Sequence, residues 1–358
     1  MPKKYQIPTL PLEFQFDSPS VLQALNRASR ALAELKGTAR TIPNEQVLIS
    51  TLTLREAQDS SAVENIITTQ DELFRADIAL KKNLSPATKE VQRYAEALRQ
   101  GFTDVRQYGI ITRNHIIGIQ RELERNRAGI RTTPGTKLEN EQTGEVVYEP
   151  PQHPDDIHRY LDNLVDFINL PEMSDLDPLI KMAIIHHQFE SIHPFSDGNG
   201  RTGRILNILY LVQQELLELP ILYLSRYIIK NKGEYYRLLQ AVRDGNDWDG
   251  WVKYMLVGVE ITALRSIRLI SDIRIAMRET KDILRTQHPK VYSQDLLNNL
   301  FRHPYTKIQL VADDLQIHPL TARKYLSVLT TTGIVTEHKI GRSKYFVNNK
   351  LMAILAQP

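Results

Sequence analysis

The chain has no cysteine, which excludes disulfides and thiolate metal sites and is compatible with a reducing compartment. It has no apolar run of about eighteen residues, and no basic segment leads into an apolar one. No membrane-spanning helix or secretory leader is therefore expected, and a cytoplasmic protein without a membrane partner is. Charge of one sign is scarce: the net value is +3, too small to name a partner by itself. Internal repeats and low-complexity segments are lacking. No G-x-x-x-x-G-K-[ST] occurs, which excludes a Walker A loop, and no H-E-x-x-H, which leaves His186, His187 and His193 without the spacing of a helical zinc site.

What is present is an ordinary globular composition over 358 residues, enough for a buried core and two or three domains. The charge is unevenly spread. From Gln287 to Pro358 nine Lys/Arg face four Asp/Glu, or +5, so the preceding chain carries −2.

The most informative stretch is His193-Pro194-Phe195-Ser196-Asp197-Gly198-Asn199-Gly200-Arg201-Thr202-Gly203-Arg204. It lies between two apolar runs with helical spacing, 179–191 and 205–217. Gly198-Asn199-Gly200 permits positive φ and exposes successive N–H groups, and a helix starting at about Arg201 turns its positive end toward them, which makes a nest for an anion. Arg201 and Arg204, three apart, share a helix face and reach the outer oxygens of a polyphosphate. Arginine at a helix start opposes the dipole and calls for a compensating anion. Asp197 is a hard carboxylate suited to Mg²⁺, and His193 is the one group here whose ordinary pKa allows general base work near neutrality. Phe195 is expected to point inward as the loop's apolar anchor.

These residues fill every fixed position of H-x-F-x-[DE]-G-N-G-R-x-x-R, and the stretch resembles the signature of the Fic family. The resemblance implies a mainly α Fic fold with a small β-hairpin flap. It implies an enzyme that transfers AMP from ATP to a Ser, Thr or Tyr hydroxyl of a target protein, itself included, and releases pyrophosphate. His193 would be catalytic and Asp197 would hold Mg²⁺. Gly198, Asn199, Gly200, Arg201, Thr202, Gly203 and Arg204 would line the nucleotide, with Tyr236 rather than Tyr235 against the adenine. The same site could run in reverse and remove AMP, or a Fic-like core could serve a DNA-binding regulator as a nucleotide sensor. A homodimer is compatible with either.

Upstream, Ser60-Ser61-Ala62-Val63-Glu64-Asn65 has two readings. One is a capping box, with Ser61 as N-cap and Glu64 at N3 of a helix running toward Phe74. The other resembles the [ST]-x-x-x-E-[GN] inhibitory motif of Fic proteins in which the inhibitory helix precedes the core. Ser60, Glu64 and Asn65 fill that motif, and Glu64 would pair with Arg204 in the place of the γ-phosphate.

Elsewhere residues 1–20 read as a proline-containing surface arm. Helices are expected at 20–36, 44–58, 85–100, 112–125, 155–168, 223–230, 232–242 and 248–269, and a hairpin at 137–148 about a turn at 140–144, the place of the Fic flap. Three short helices, at 291–301, 307–315 and 319–330, precede two strands about Gly341-Arg342. That order resembles a winged helix-turn-helix, with Arg323, Lys324, Arg342 and Lys344 on the elements that would face DNA, although such modules also dock proteins. The expected division is an N-terminal region with the inhibitory motif over 1–110, a catalytic core over 111–262, a helical linker over 263–289 and a winged helix over 290–358.

Overall fold

A computed structural model describes residues 5–77, 84–139, 143–340 and 343–357. The fold is mainly helical. α1 (Pro19–Ala39), α2 (Glu45–Val63), α3 (Gln70–Asp77), α4 (Pro86–Tyr108) and α5 (Arg113–Glu124) precede an antiparallel pair, β1 (Leu138–Glu139) and β2 (Val146–Tyr148). Next come α6 (Pro154–Asn169), α7 (Pro178–Ile192), α8 (Asn199–Gln213), α9 (Ser225–Lys230), α10 (Lys232–Gly245) and α11 (Trp248–Gln287). The C-terminal part comprises α12 (Gln294–Arg302), β3 (Tyr305–Thr306), α13 (Ile308–Leu315), α14 (Pro319–Thr331), β4 (Val335–Ile340), β5 (Ser343–Asn348) and α15 (Asn349–Leu355). Its strands pair antiparallel in the order β3-β5-β4.

Helix starts follow local chemistry. Ser18, Asn44, Ser85, Asp177, Asp247 and Ser293 each accept a first-turn N–H on the side chain, and proline opens α1, α4, α6, α7 and α14. α7 is buried on every side from Leu179 to Ile192, α8 almost so, and α2 from Val47 through most of its length. Helices without a solvent face belong at the centre, and their polar residues must find partners inside the protein. α1 lies along α11 through Val21, Ala24, Ala28, Ala31, Leu32 and Leu35, the alanines allowing close approach.

Several elements depart from expectation. α2 does not stop near residue 58 but continues to Val63, so Ser61 is not an N-cap and the capping box does not form. Instead Glu64 closes the helix: the N–H groups of Glu64 and Ile66 both donate to the Ser61 carbonyl at 3.0 Å, and Asn65 takes a left-handed φ of 60°. α8 starts at Asn199 rather than Arg201, because Gly198, at φ 79°, already provides the turn. The helix expected at 248–269 and the helical linker after it are one element, α11, which runs 40 residues without a break. The N-terminal arm, as expected, lies along the surface, and it buries Ile7, Leu10 and Phe16 against the helices. Leu10 exchanges hydrogen bonds of 2.8 and 2.9 Å with the Asn163 amide, and Gln188 donates to the Pro8 carbonyl at 2.7 Å. Within the hairpin, 140–142 lie outside the described residues. No helix among the described residues is long and apolar enough to cross a membrane.

Candidate active site

α7 ends at His193, whose left-handed backbone (φ 48°) turns the chain into the polar loop. The loop is closed by Asn199: its Oδ1 accepts the Phe195 N–H at 2.9 Å and its Nδ2 donates to the Phe195 carbonyl at 2.8 Å. The Asn199 side chain is therefore spent on shaping the loop, and only its backbone amide is left for a ligand. Phe195 is fully buried with its ring 6.3 Å from that of Phe189. Arg131 holds the loop from the hairpin side, donating from Nε to the His193 carbonyl at 2.8 Å and from its backbone N–H to the Pro194 carbonyl at 2.9 Å, with Nη2 on the Pro151 carbonyl. Tyr148 at the end of β2 donates to the Ser191 carbonyl at 2.8 Å, and Arg243 lies 3.9 Å from the centre of its ring.

Gly198 caps α8 without a side chain, so the first-turn amides of Asn199, Gly200 and Arg201 have no side-chain acceptor from the cap. The two arginines of this helix go to different partners. Arg201 is buried and donates to Glu90 at 3.1 Å and Glu124 at 2.8 Å, with Asp197 3.7 Å away. Arg204, 3% exposed, donates from Nε to Ser60 Oγ at 2.8 Å and from Nη2 to the Ser60 carbonyl at 2.9 Å and to Glu64 Oε1 at 2.8 Å. The Glu64 carboxylate also rests on the open helix start, where a Cβ on Gly200 would collide with its Oε1. Asn65 is tethered by Lys232 at 3.1 Å. Ser60, Glu64 and Arg204 are thus brought together across 140 residues or more of chain.

The charges support each other. Burial pushes the Glu64 carboxyl up, but Arg204, with Arg201 and Lys232, brings it below its ordinary value. Burial likewise opposes charge on Arg204, and Glu64 together with Tyr235, Tyr94 and Glu190 more than offsets it, so its pKa is raised. His193 is pushed down to about 4 by burial first and by Arg131 and Arg243 next, with Glu64 acting the other way. Its imidazole is uncharged at neutral pH, and Nδ1 is buried without a partner among the described residues.

Asp197 is exposed, its Oδ1 accepting the Gly198 N–H at 2.6 Å. No group of three acids or histidines that could hold a metal occurs among the described residues. One free hard oxygen beside an anion nest fits Mg²⁺ that completes its shell with water and substrate phosphates. His186 and His187 belong to the core: His186 bridges Asn207 at 2.9 Å and Tyr235 at 2.8 Å and stacks on Trp251, while His187 packs on Trp248.

Other expected residues fall as follows. Tyr235 is buried, and Tyr236 is 46% exposed beside it. Thr202 is fully buried, and Gly203 faces α7, where a Cβ would come 2.9 Å from Glu190 Oε1 and 3.1 Å from Phe189. Gly203 thus packs α8 on α7, and both positions are buried. Arg323 and Lys324 are exposed on α14, Lys344 is paired with Glu337 at 2.6 Å, and Arg342 lies outside the described residues. Sequence reasoning missed Glu90, Glu124, Arg131, Arg243 and Tyr148. The first two look like solvent-facing helix charges, and the others hold carbonyls or a ring face, which leave no residue pattern.

The Fic/DOC family profile matches residues 110–211, the Fic/DOC family N-terminal profile 22–103, and that of the C-terminal domain of SoFic-like protein adenylyltransferases 276–351. Protein adenylyltransferase fic-1 of Caenorhabditis elegans is 31% identical over 117 residues, 33% of this chain and 22% of that protein. A probable protein adenylyltransferase of Aquifex aeolicus is 47% identical over 70 residues, 20% of this chain and 19% of that one. The chain thus spans less than a third of the curated relatives it matches. A crystal structure of a Fic family protein from Desulfovibrio desulfuricans superposes with a TM-score of 0.57 at 20% identity, covering 96% of this chain and 99% of that one. Fic-1 of Caenorhabditis elegans superposes at 0.54 and 21% identity, covering 70% and 73%.

Proposed function

Because the chain carries a Fic domain, we propose that it is a protein adenylyltransferase restrained by Glu64, moving AMP from ATP to a Ser, Thr or Tyr hydroxyl of a target protein or of itself. The observation that carries this reading is the Glu64–Arg204 pair: a carboxylate from the end of α2 fills the anion seat made by Arg204 and the open start of α8. His193, uncharged at the mouth of the same loop, takes the proton of the incoming hydroxyl. The hydroxyl oxygen bonds to the α-phosphorus, the bond from that phosphorus to the bridging oxygen breaks, and pyrophosphate leaves with the electron pair. The amides of Asn199, Gly200 and Arg201 face the charge that develops on the phosphoryl oxygens. Arg201 is already balanced by Glu90 and Glu124, so the outermost phosphate falls to Arg204 once Glu64 withdraws. Asp197 would hold Mg²⁺, which supplies charge neutralisation among the phosphates, and Tyr236 offers its half-exposed ring to the adenine. On the hairpin, Val146 and Val147 are exposed beside unpaired strand edges, suited to pairing with an extended target segment.

The test is incubation of the purified protein with α-labelled ATP, Mg²⁺ and a cell lysate, run with His193→Ala and Glu64→Gly variants. Glu64→Gly should label more than about tenfold faster than wild type, the scale of one charge-assisted hydrogen bond, and His193→Ala should not label. Wild-type labelling by His193→Ala, or a folded Glu64→Gly protein no faster than wild type, overturns the reading.

A further inference from the structure

We propose a second anion site on the opposite flank of α2, built for an organic phosphomonoester. A cavity of about 440 Å³ is lined by Arg55 of α2, Tyr223, Leu264, Arg265 and Arg268 of α11, and Gln357 of the C-terminal tail. Three guanidinium groups meet there, and Asp272 is the one acid lining it.

Arg55 is 6% exposed, yet its described partners are the Gln357 carbonyl, 3.0 Å from Nη2, and the Tyr223 ring, 5.7 Å away. The acid one turn further along α2, Asp59, is taken by Arg226 at 3.1 Å. Arg265 and Arg268 form no ion pair among the described residues. Tyr223 is 1% exposed, and among the described residues its buried hydroxyl finds no acceptor in full hydrogen-bond geometry; its polar neighbour is Ser266, whose Oγ donates to the Ile221 carbonyl at 3.2 Å. Asp59 reaches Arg55 by its charge and not by a hydrogen bond, so a buried guanidinium with no carboxylate in hydrogen-bond range among the described residues lines the same cavity as a poorly satisfied buried hydroxyl, and both are costly. An anion rich in acceptor oxygens satisfies both, and the guanidinium fork matches phosphate geometry.

The remaining wall indicates what the phosphate carries. Ile261 and Leu264, 45% and 40% exposed, and Leu269 give the cavity an apolar side that a bare inorganic ion would leave unused. A phosphate bearing an apolar or aromatic group uses both halves.

The probes are phenyl phosphate and inorganic phosphate, titrated calorimetrically into wild type and into an Arg265→Ala/Arg268→Ala double variant. Both replaced side chains are at least partly exposed, so the fold should survive, and the melting temperature checks this. Wild type should bind phenyl phosphate more tightly than inorganic phosphate, and the double variant should bind phenyl phosphate at least about tenfold more weakly. Tyr223→Phe, which keeps the ring and drops the hydroxyl, should weaken it a few-fold. Crystals soaked in tungstate should show an anomalous peak beside Arg55. No binding by wild type, equal affinity in the double variant, or an anomalous peak confined to the loop at 193–204 overturns the site.

Discussion

Glu64 occupies the most consequential position in the chain, because its carboxylate answers two needs at once: a buried guanidinium and an uncapped helix start. Removing it leaves Arg204 charged and buried with only Ser60 for a partner, which should destabilise the protein by a few kcal/mol, about 3 to 5 for a fully buried pair and less here, where Glu64 is a third exposed. A nucleotide that supplies a replacement anion should restore much of that. Mg²⁺-ATP is therefore expected to raise the melting temperature of Glu64→Gly by more degrees than that of wild type, a comparison thermal-shift measurements make directly. Glu190 offers a second prediction. Burial pushes its carboxyl up to about 7 from an ordinary 4.5, with Glu64 adding and Arg204 and Arg243 opposing, and its Oε1 has no hydrogen-bond partner. A folded pKa raised in this way contributes stability that is full below 4.5 and lost as pH rises through 7. Glu190→Gln should flatten the decline in melting temperature between pH 4.5 and about 7, leaving the share due to Glu56, which burial raises to about 8. The loop from His193 to Arg204 was legible because its chemistry is contiguous, and Ser60 and Glu64 because a second short pattern marks them. Arg131 and Arg243 were not, since a carbonyl or a ring face as partner leaves no trace in residue type.

Among the elements, α2 shows why local patterns mislead. Asp59-Ser60-Ser61 reads as a break followed by a cap, because serine and aspartate compete with helical hydrogen bonding where water is the alternative. Inside the protein Asp59 meets Arg226 and Ser60 meets Arg204, and the helix continues one more turn to present Glu64. The N-terminal arm, expected along the surface, is clipped to α6 by the Asn163 amide, an attachment that no residue pattern announces. The helix α7 is legible almost to its true extent because a long apolar run needs no partner to be recognised, whereas the run to 217 overshoots α8, which ends at Gln213 before Glu215 takes a left-handed φ of 54°. Arg131, just before the hairpin, ties the loop to the segment just after it, bridging the His193 and Pro151 carbonyls from Nε and Nη2. Arg131→Lys keeps the charge but cannot span both, so kcat for AMP transfer should fall about tenfold or more while the Kd for ATP changes little. An equal loss in both would place Arg131 in nucleotide binding instead.

On the scale of the whole molecule, the C-terminal unit is fastened at several points. Lys350 pairs with Glu279, Tyr305 donates to Asp71 of α3, and Arg55 of α2 holds the Gln357 carbonyl. The segment after Gln287 was legible as three helices and a strand pair, but these attachments were not, because they join residues more than 70 positions apart. α11 carries the larger consequence. At about 1.5 Å per residue it spans roughly 60 Å, and it packs with α1 and α7 toward one end and with α12 and α15 toward the other. A helix shared in this way cannot lose its hydrogen bonds in one half without fraying the lining of the other. Heat should therefore be absorbed in a single calorimetric peak whose measured enthalpy equals the van't Hoff value, the signature of one cooperative unit where the sequence suggests two or three domains. Ile267→Pro, placed mid-helix, should split that peak in two.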